Sequence, residues 1–213
     1  MPFLDRADAG RKLARALERF RSRDPVILAL PRGGVPVGFE VARALRAPLD
    51  VMVVRKLGAP GHEELAVGAI APGAIYVDRS IVRQLGVTPA YLERVAATEA
   101  KELERREQLY RSGRPPLNVE GRVAILVDDG LATGATMLAA VRWARARGAA
   151  RIVACVPVAA AQSAALVRRE ADDVVCPCET PDLRSVAAWY GVFAPVSVEE
   201  VVALLDAGPL PTA

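Results

Sequence analysis

Val123, Ala124, Ile125, Leu126 and Val127 run without interruption into a pair of carboxylates, Asp128 and Asp129, and no other stretch restricts the fold as tightly. Five apolar residues in a row describe a strand buried on both faces, the kind found in parallel sheets covered by helices. Residues 130–136 are mostly small, and residues 137–148 form an Ala-rich run whose larger apolar members, Met137, Leu138, Val141 and Trp143, suit a helix. Asp129-Gly130 is also a common hairpin dipeptide. A hairpin would need a second alternating strand, and the sequence offers a helical run there instead.

Strand, tight turn and helix together put a ligand in the crevice beyond the strand's carboxyl end. Gly130, Ala132, Gly134 and Ala135 leave room for backbone N–H groups to close on an anion at the helix start, where the helix dipole favours negative charge. Thr133 and Thr136 add hydroxyl donors. One element thus combines a cradle for a phosphate with two carboxylates for a pair of sugar hydroxyls.

Over residues 124–136 this segment resembles the signature of the type I phosphoribosyltransferases, which bind 5-phosphoribosyl diphosphate (PRPP). The resemblance implies an α/β fold, a mostly parallel twisted sheet with flanking helices and a small hood over the acceptor base. It implies Mg²⁺-dependent transfer of ribose 5-phosphate from PRPP to a nucleobase-like nitrogen, with pyrophosphate released and Mg²⁺ arriving with PRPP. It assigns the 5-phosphate to Ala132, Thr133, Gly134, Ala135 and Thr136 beside Gly130, and the ribose hydroxyls to Asp128 and Asp129. Gly130 departs from the pattern, which usually has a larger apolar residue there. So does Ala132, where hypoxanthine/guanine-type members carry an Asp proposed as their acid/base; the loop looks more like that of the adenine- and uracil-type enzymes.

The same layout occurs earlier. Residues 26–30 form an apolar strand, Pro31-Arg32-Gly33-Gly34 a turn, and residues 35–45 a helical run. This turn resembles the family's pyrophosphate loop, in which a non-proline cis peptide is common, and Arg32 with Gly33 and Gly34 is assigned to the departing diphosphate. A strand over residues 49–54 is expected to lead into Arg55 and Lys56, two cations that suit the same leaving group. Residues 58–64 read as a loop, followed by short strands at 67–70 and 74–77. The family's mobile loop lies in this region, which makes His62, Glu63 and Glu64 candidates; an exposed polar loop is the plainer reading.

The rest of the chain reads as scaffold. Residues 5–23 are expected to form an amphipathic helix with Ala9, Leu13, Ala16, Leu17 and Phe20 on one face, serving packing and not chemistry. Thr88-Pro89 starts a helix that runs to Arg111. It dominates an insertion over residues 78–114, read as an arm over the site or against a partner subunit, with Tyr110, Arg111 and Arg114 near the ligand or on a solvated face. Strands at 151–156 and 173–176 flank a helix at 162–170. Residues 178–196 are irregular and carry Trp189, Tyr190 and Phe193, either a stacking set or core. The hood is assigned to this stretch or to the N-terminal helix. Ser197 caps a final helix over 198–207, with Glu200 completing a capping box.

A chain of 213 residues fits one domain, 1–213, and is long enough for a substantial core. A net charge of +3, with Arg scattered among Glu, lacks the clustered basic face of a nucleic-acid binder. The longest apolar run, 152–161, is about half a membrane span. Three cysteines, Cys155, Cys176 and Cys178, with no signal peptide, suggest a reduced, cytoplasmic protein, and His62 as the single histidine argues against structural zinc. Members of the family often pair into dimers, and the resemblance implies no more than that about a homodimer here. The alternative is a PRPP-sensing regulator that performs no transfer, but Arg32 and the Arg55-Lys56 pair favour an enzyme, since a sensor need not stabilise a leaving group. A phosphohydrolase would need a second acidic cluster that the sequence lacks. The acceptor base stays open.

Overall fold

The computed structural model describes residues 2–209, apart from the side chains of Glu63 and Glu64. In chain order the elements are α1 (Arg6–Leu17), β1 (Pro25–Ala29), α2 (Gly34–Leu45), β2 (Leu49–Val51), β3 (Arg55–Ala59), β4 (His62–Ala71), β5 (Ala74–Val77), α3 (Arg79–Gln84) and α4 (Pro89–Arg111). There follow β6 (Val123–Val127), α5 (Ala135–Ala146), β7 (Arg151–Cys155), β8 (Val158–Ala160), α6 (Ala161–Val167), β9 (Asp173–Val175), β10 (Cys178–Thr180) and α7 (Val198–Ala207).

Five strands make a parallel sheet in the order β2-β1-β6-β7-β9. All five residues of β1 and all five of β6 are buried, because the sheet is covered on both faces. Successive side chains alternate between two cores. Ile27, Ala29, Ile125 and Val127 meet the residues of α1 and α2, while Val26, Leu28, Ala124 and Leu126 meet α5. Winding reverses between β1 and β6, which are neighbours in space and far apart in sequence. Their carboxyl ends lie level, Ala29 opposite Val127, so the turns that follow leave side by side at the switch point.

Several expected boundaries moved. β2 stops at Val51 and does not reach Arg55, because β1 turns away after Ala29 and leaves residues 52–54 no ladder partner beyond Met52 N–H, which donates to Ala29 O. Arg55 and Lys56 instead open β3, which pairs antiparallel with β4. Residues 58–64 are therefore not a loop; they are the end of a hairpin, with Leu57 and Ala59 turned inward and Gly61 at φ +71° in the turn. α1 is shorter than expected, ends in a 3₁₀ turn at Glu18–Phe20, and buries Ala14 where Ala16 was expected. The cap on α7 is present, Ser197 Oγ accepting from the Glu200 N–H.

The two segments offered as a hood, residues 178–196 and the start of the chain, touch each other. Gly191 N–H donates to Phe3 O and Val192 N–H to Leu4 O, so the chain start is stitched to residues 189–192. Phe3, Ala9, Val158 and Tyr190 form a small core of their own, packed against Val186 and Phe193.

Candidate active site

The turn after β6 has the geometry that can receive an anion. Gly134 takes φ +85°, a left-handed conformation that aims the chain into α5. Leu131 is tied by exchange with β8, its N–H donating to Val158 O and its carbonyl accepting from Ala160. Among the described residues, the N–H groups from Ala132 to Met137 then find no protein acceptor, the first being Leu138, bonded back to Gly134 O. They surround a cavity of about 160 Å³, lined by Gly130, Ala132, Thr133, Gly134 and Thr136 together with Lys56, Asp128 and Val186.

The acids before this turn each keep one oxygen in reserve. Asp128 Oδ1 accepts from the Asp129 N–H at 2.8 Å, and Asp129 Oδ2 accepts from Arg6 Nε at 2.9 Å. Asp128 Oδ2 and Asp129 Oδ1 have no partner among the described residues, and neither is a sealed, unpaired atom. Two adjacent free oxygens suit two adjacent hydroxyls. Burial and the neighbouring Asp129 charge push Asp128 well above the usual carboxylate range, while Arg6 and Lys56 pull the other way. Burial also raises Asp129, opposed by its bond to Arg6.

The turn after β1 is pressed against these acids. A Cβ on Gly33 would lie 2.0 Å from Asp129 Oδ2, and one on Gly34 2.7 Å from Val127 O. The peptide bond between Pro31 and Arg32 is cis, and the N–H groups of Arg32 and Gly33 have no acceptor among the described residues. The Arg32 side chain is another matter. It is exposed and lines neither cavity. The structure thus brings the backbone of this turn to the site and not its guanidinium.

Lys56 does reach the site. It lines both the small cavity and a larger one of about 620 Å³, and the two share Lys56, Asp128 and Thr136. The larger cavity is roofed by α4, which contributes Tyr91, Arg94, Thr98, Glu99 and Arg106. Tyr91 Oη donates to Gly58 O, holding α4 on β3. Arg55 lines this cavity as an ion-paired side chain, 2.6 Å from Glu99. Among the described residues no carboxylate pairs with Lys56 or Arg94. The other candidates of the 78–114 segment lie elsewhere: Tyr110 is buried, Arg111 is held by Asp50, Glu107 and Val51 O, and Arg114 pairs with Asp206. His62 is exposed at the hairpin end, and the Glu63 and Glu64 side chains lie outside the described residues.

At Gly130 the space a side chain would take is filled by Val186, from residues 178–196. A Cβ there would come within 2.5 Å of both Val186 methyls. Tyr190 Oη donates to Asp129 O at 2.6 Å, and burial raises its phenol. Trp189 is half-buried, and Phe193 stacks on Arg6 at 3.8 Å. Arg6 is the residue that sequence reasoning missed, since its helix was assigned to packing. A signal was present: a cation in the first turn of a helix opposes the dipole and needs a partner elsewhere.

Residues 4–197 match the model of the phosphoribosyl transferase domain family. Over 205 residues, 96% of the chain, it is 45% identical to the Mycobacterium tuberculosis protein Rv0571c, named as an unconfirmed phosphoribosyl transferase. The chain spans 46% of that relative's length. The crystal structure of the TT1426 protein from Thermus thermophilus is similar at a TM-score of 0.83 and 42% identity, covering 96% of this chain and 98% of that one. A purine phosphoribosyltransferase from Pyrococcus horikoshii shares the fold, at a TM-score of 0.50 and 16% identity over 89% of this chain and 92% of its own. No helix among the described residues is long and apolar enough to cross a membrane.

Proposed function

The chain belongs to the phosphoribosyl transferase family, and on that premise we propose that it transfers ribose 5-phosphate from PRPP to a nucleobase-like nitrogen, releasing pyrophosphate. One observation carries the reading: a cradle of unpaired N–H groups, two acids with one free oxygen each, and a cation-lined cavity meet at Lys56, Asp128 and Thr136. An anion, a diol and a second, larger anionic group in that order describe PRPP.

In this proposal the 5-phosphate sits on the N–H groups of residues 132–136 with the Thr133 and Thr136 hydroxyls, at the amino end of α5. Asp128 Oδ2 and Asp129 Oδ1 accept from the ribose hydroxyls, and their charge favours the cation that develops on the ring as the C1–O bond breaks. The diphosphate leaves between the Arg32 and Gly33 N–H groups and the Lys56 ammonium, with Arg55 and Arg94 further along the cavity wall. The acceptor nitrogen forms the new bond to C1. No side chain stands out as its base, so positioning and electrostatics carry the rate. Mg²⁺ is read as part of the substrate, bound to the diphosphate with several waters. No group of three or more His, Cys, Asp or Glu side chains gathers among the described residues to hold a resident ion. A cytoplasmic enzyme of nucleotide salvage, acting as a homodimer, is the setting that goes with this reading.

The test is pyrophosphate release from PRPP and Mg²⁺ across a panel of nucleobases. Base-dependent release is expected, and the double variant Asp128→Asn, Asp129→Asn should lose at least about 1,000-fold in kcat/KM while remaining folded. Near wild-type turnover in that variant would overturn the mechanism. PRPP binding by the wild type with no release for any base would favour the sensing regulator.

A further inference from the structure

Arg6 stands at the meeting point of three parts of the molecule. Its Nε donates to Asp129 Oδ2 at 2.9 Å, its Nη1 donates to Ala194 O at 2.7 Å, and its guanidinium lies 3.8 Å from the centre of the Phe193 ring. The side chain is only 12% exposed although it belongs to the first turn of a surface helix. Nothing on α1 needs it there; the helix already has its cap from Asp5, which accepts from the Asp8 N–H. Around the same carboxylate, Gly33 lies so close that a Cβ would overlap Oδ2, and Tyr190 holds the Asp129 carbonyl. Asp129 is therefore held at its carboxylate by Arg6, from the chain start, and at its backbone carbonyl by Tyr190, with the turn after β1 packed close against the same carboxylate.

We infer that Arg6 is a positioning residue that locks the hood to Asp129 and so presents Asp129 Oδ1 to the sugar. The argument rests on the PRPP reading for the identity of the sugar, and on geometry alone for the link between hood and acid. A carboxylate is free to rotate about its terminal torsion. With Oδ2 pinned by a planar guanidinium, that freedom is gone and Oδ1 has one direction left. The same guanidinium is anchored by a backbone carbonyl and a ring face of the hood, contacts that a flexible ammonium would not reproduce together. Three groups share one side chain, so disturbing the sugar-binding acid loosens the hood, and loosening the hood frees the acid.

Two measurements on the full chain separate this inference from the proposed activity. The first needs no substrate: hydrogen exchange of the Gly191 and Val192 amides, which bond to Phe3 and Leu4. Exchange should speed up about tenfold in Arg6→Met, and in Arg6→Lys, which keeps the charge but loses the planar fork. The second is steady-state kinetics with PRPP. KM for PRPP should rise about tenfold in Arg6→Met with kcat changed much less, and Arg6→Lys should recover part of that loss through its ion pair with Asp129. Wild-type exchange together with wild-type KM in Arg6→Met would overturn the inference, as would faster exchange with no change in KM. If the wild-type protein releases no pyrophosphate from PRPP, the activity reading fails, and unchanged exchange in Arg6→Met would then sink the link between Arg6 and the hood as well. Should Arg6→Met not fold, Phe193→Leu removes the stack alone and must show faster exchange at Gly191 and Val192.

Discussion

The turns after β1 and β6 are the same device used twice, strand, glycine-bearing turn and helix, yet they do opposite things with their glycines. In the first, Gly33 and Gly34 have negative or unremarkable backbone angles and are needed for space, because Asp129 Oδ2 and Val127 O sit where side chains would begin. In the second, Gly134 has its nearest prospective neighbours at 3.7 Å and is needed for its φ of +85°. The first turn is a wall that shapes the acid site. The second is a bend that exposes N–H groups. Two loops that look alike in sequence thus fail in different ways when altered.

The sharpest break of that comparison is Gly33→Ala. The added methyl must push Asp129 away from Arg6, and a displacement of about 1 Å at a reacting centre is worth roughly 100-fold in rate. A kcat/KM for pyrophosphate release at least 100-fold below wild type is expected, with near-normal thermal stability, because only a short side chain has to move. A variant with full activity would show that Asp129 is not where the sugar binds.

The cations of the two regions come next. Lys56 lines both cavities and has no carboxylate partner among the described residues, whereas the Arg32 side chain is exposed and lines neither, and Arg55 is paired with Glu99. Lys56→Ala should therefore lower kcat/KM by about 100-fold, and Arg32→Ala by about threefold or less. Steady-state rates at saturating acceptor decide it. The reverse order would mean that the Arg32 side chain turns inward on the diphosphate.

At the second turn the loss should appear in stability. Gly134→Ala forces a Cβ into the left-handed region at a cost of about 1–2 kcal/mol. Thermal unfolding should show Tm lowered by several degrees, while the folded protein keeps PRPP-dependent turnover within a few-fold. If activity collapses and Tm does not move, Gly134 is there for ligand approach and not for the bend.

How much of this was legible beforehand follows the same division. β6, its acids and the start of α5 could be read because a doubly buried strand leaves an unbroken apolar run and the turn that follows is made mostly of small residues. The β3–β4 hairpin could not, because Arg55 stands on the same face as the inward Leu57 and Ala59, where an apolar residue would mark the pattern, and the register slips at Gly58, which blurs the alternation. The roof of the larger cavity was legible as a helix and not as a wall: which face of α4 turns to β3 depends on Tyr91 and Glu99 finding partners 33 and 44 residues away. Arg6 lies 123 residues from the carboxylate it holds. Periodicity along α1 reports only that the helix packs, and a tertiary ion pair leaves no local pattern.

The smallest effect concerns the acids themselves, and its sign is unusual. Burial and the Asp129 charge raise Asp128 in the folded protein above its ordinary value of 3.8. Between that value and the raised one, the folded state binds a proton that the unfolded state has already released. The stability this contributes is complete below the unfolded value and is lost as pH rises through the folded one. Above the raised value the buried Asp128 charge is therefore a local burden. Asp128→Asn removes the charge, keeps an oxygen for the Asp129 N–H, and relieves Asp129 of its neighbour's repulsion. Its Tm should exceed wild type by up to a few degrees at pH 7. That advantage should shrink as the pH is lowered toward 4, where the native carboxyl is protonated anyway. No rise in Tm at neutral pH, or a rise that does not depend on pH, would show that the Asp128 charge is already compensated in the protein without a ligand.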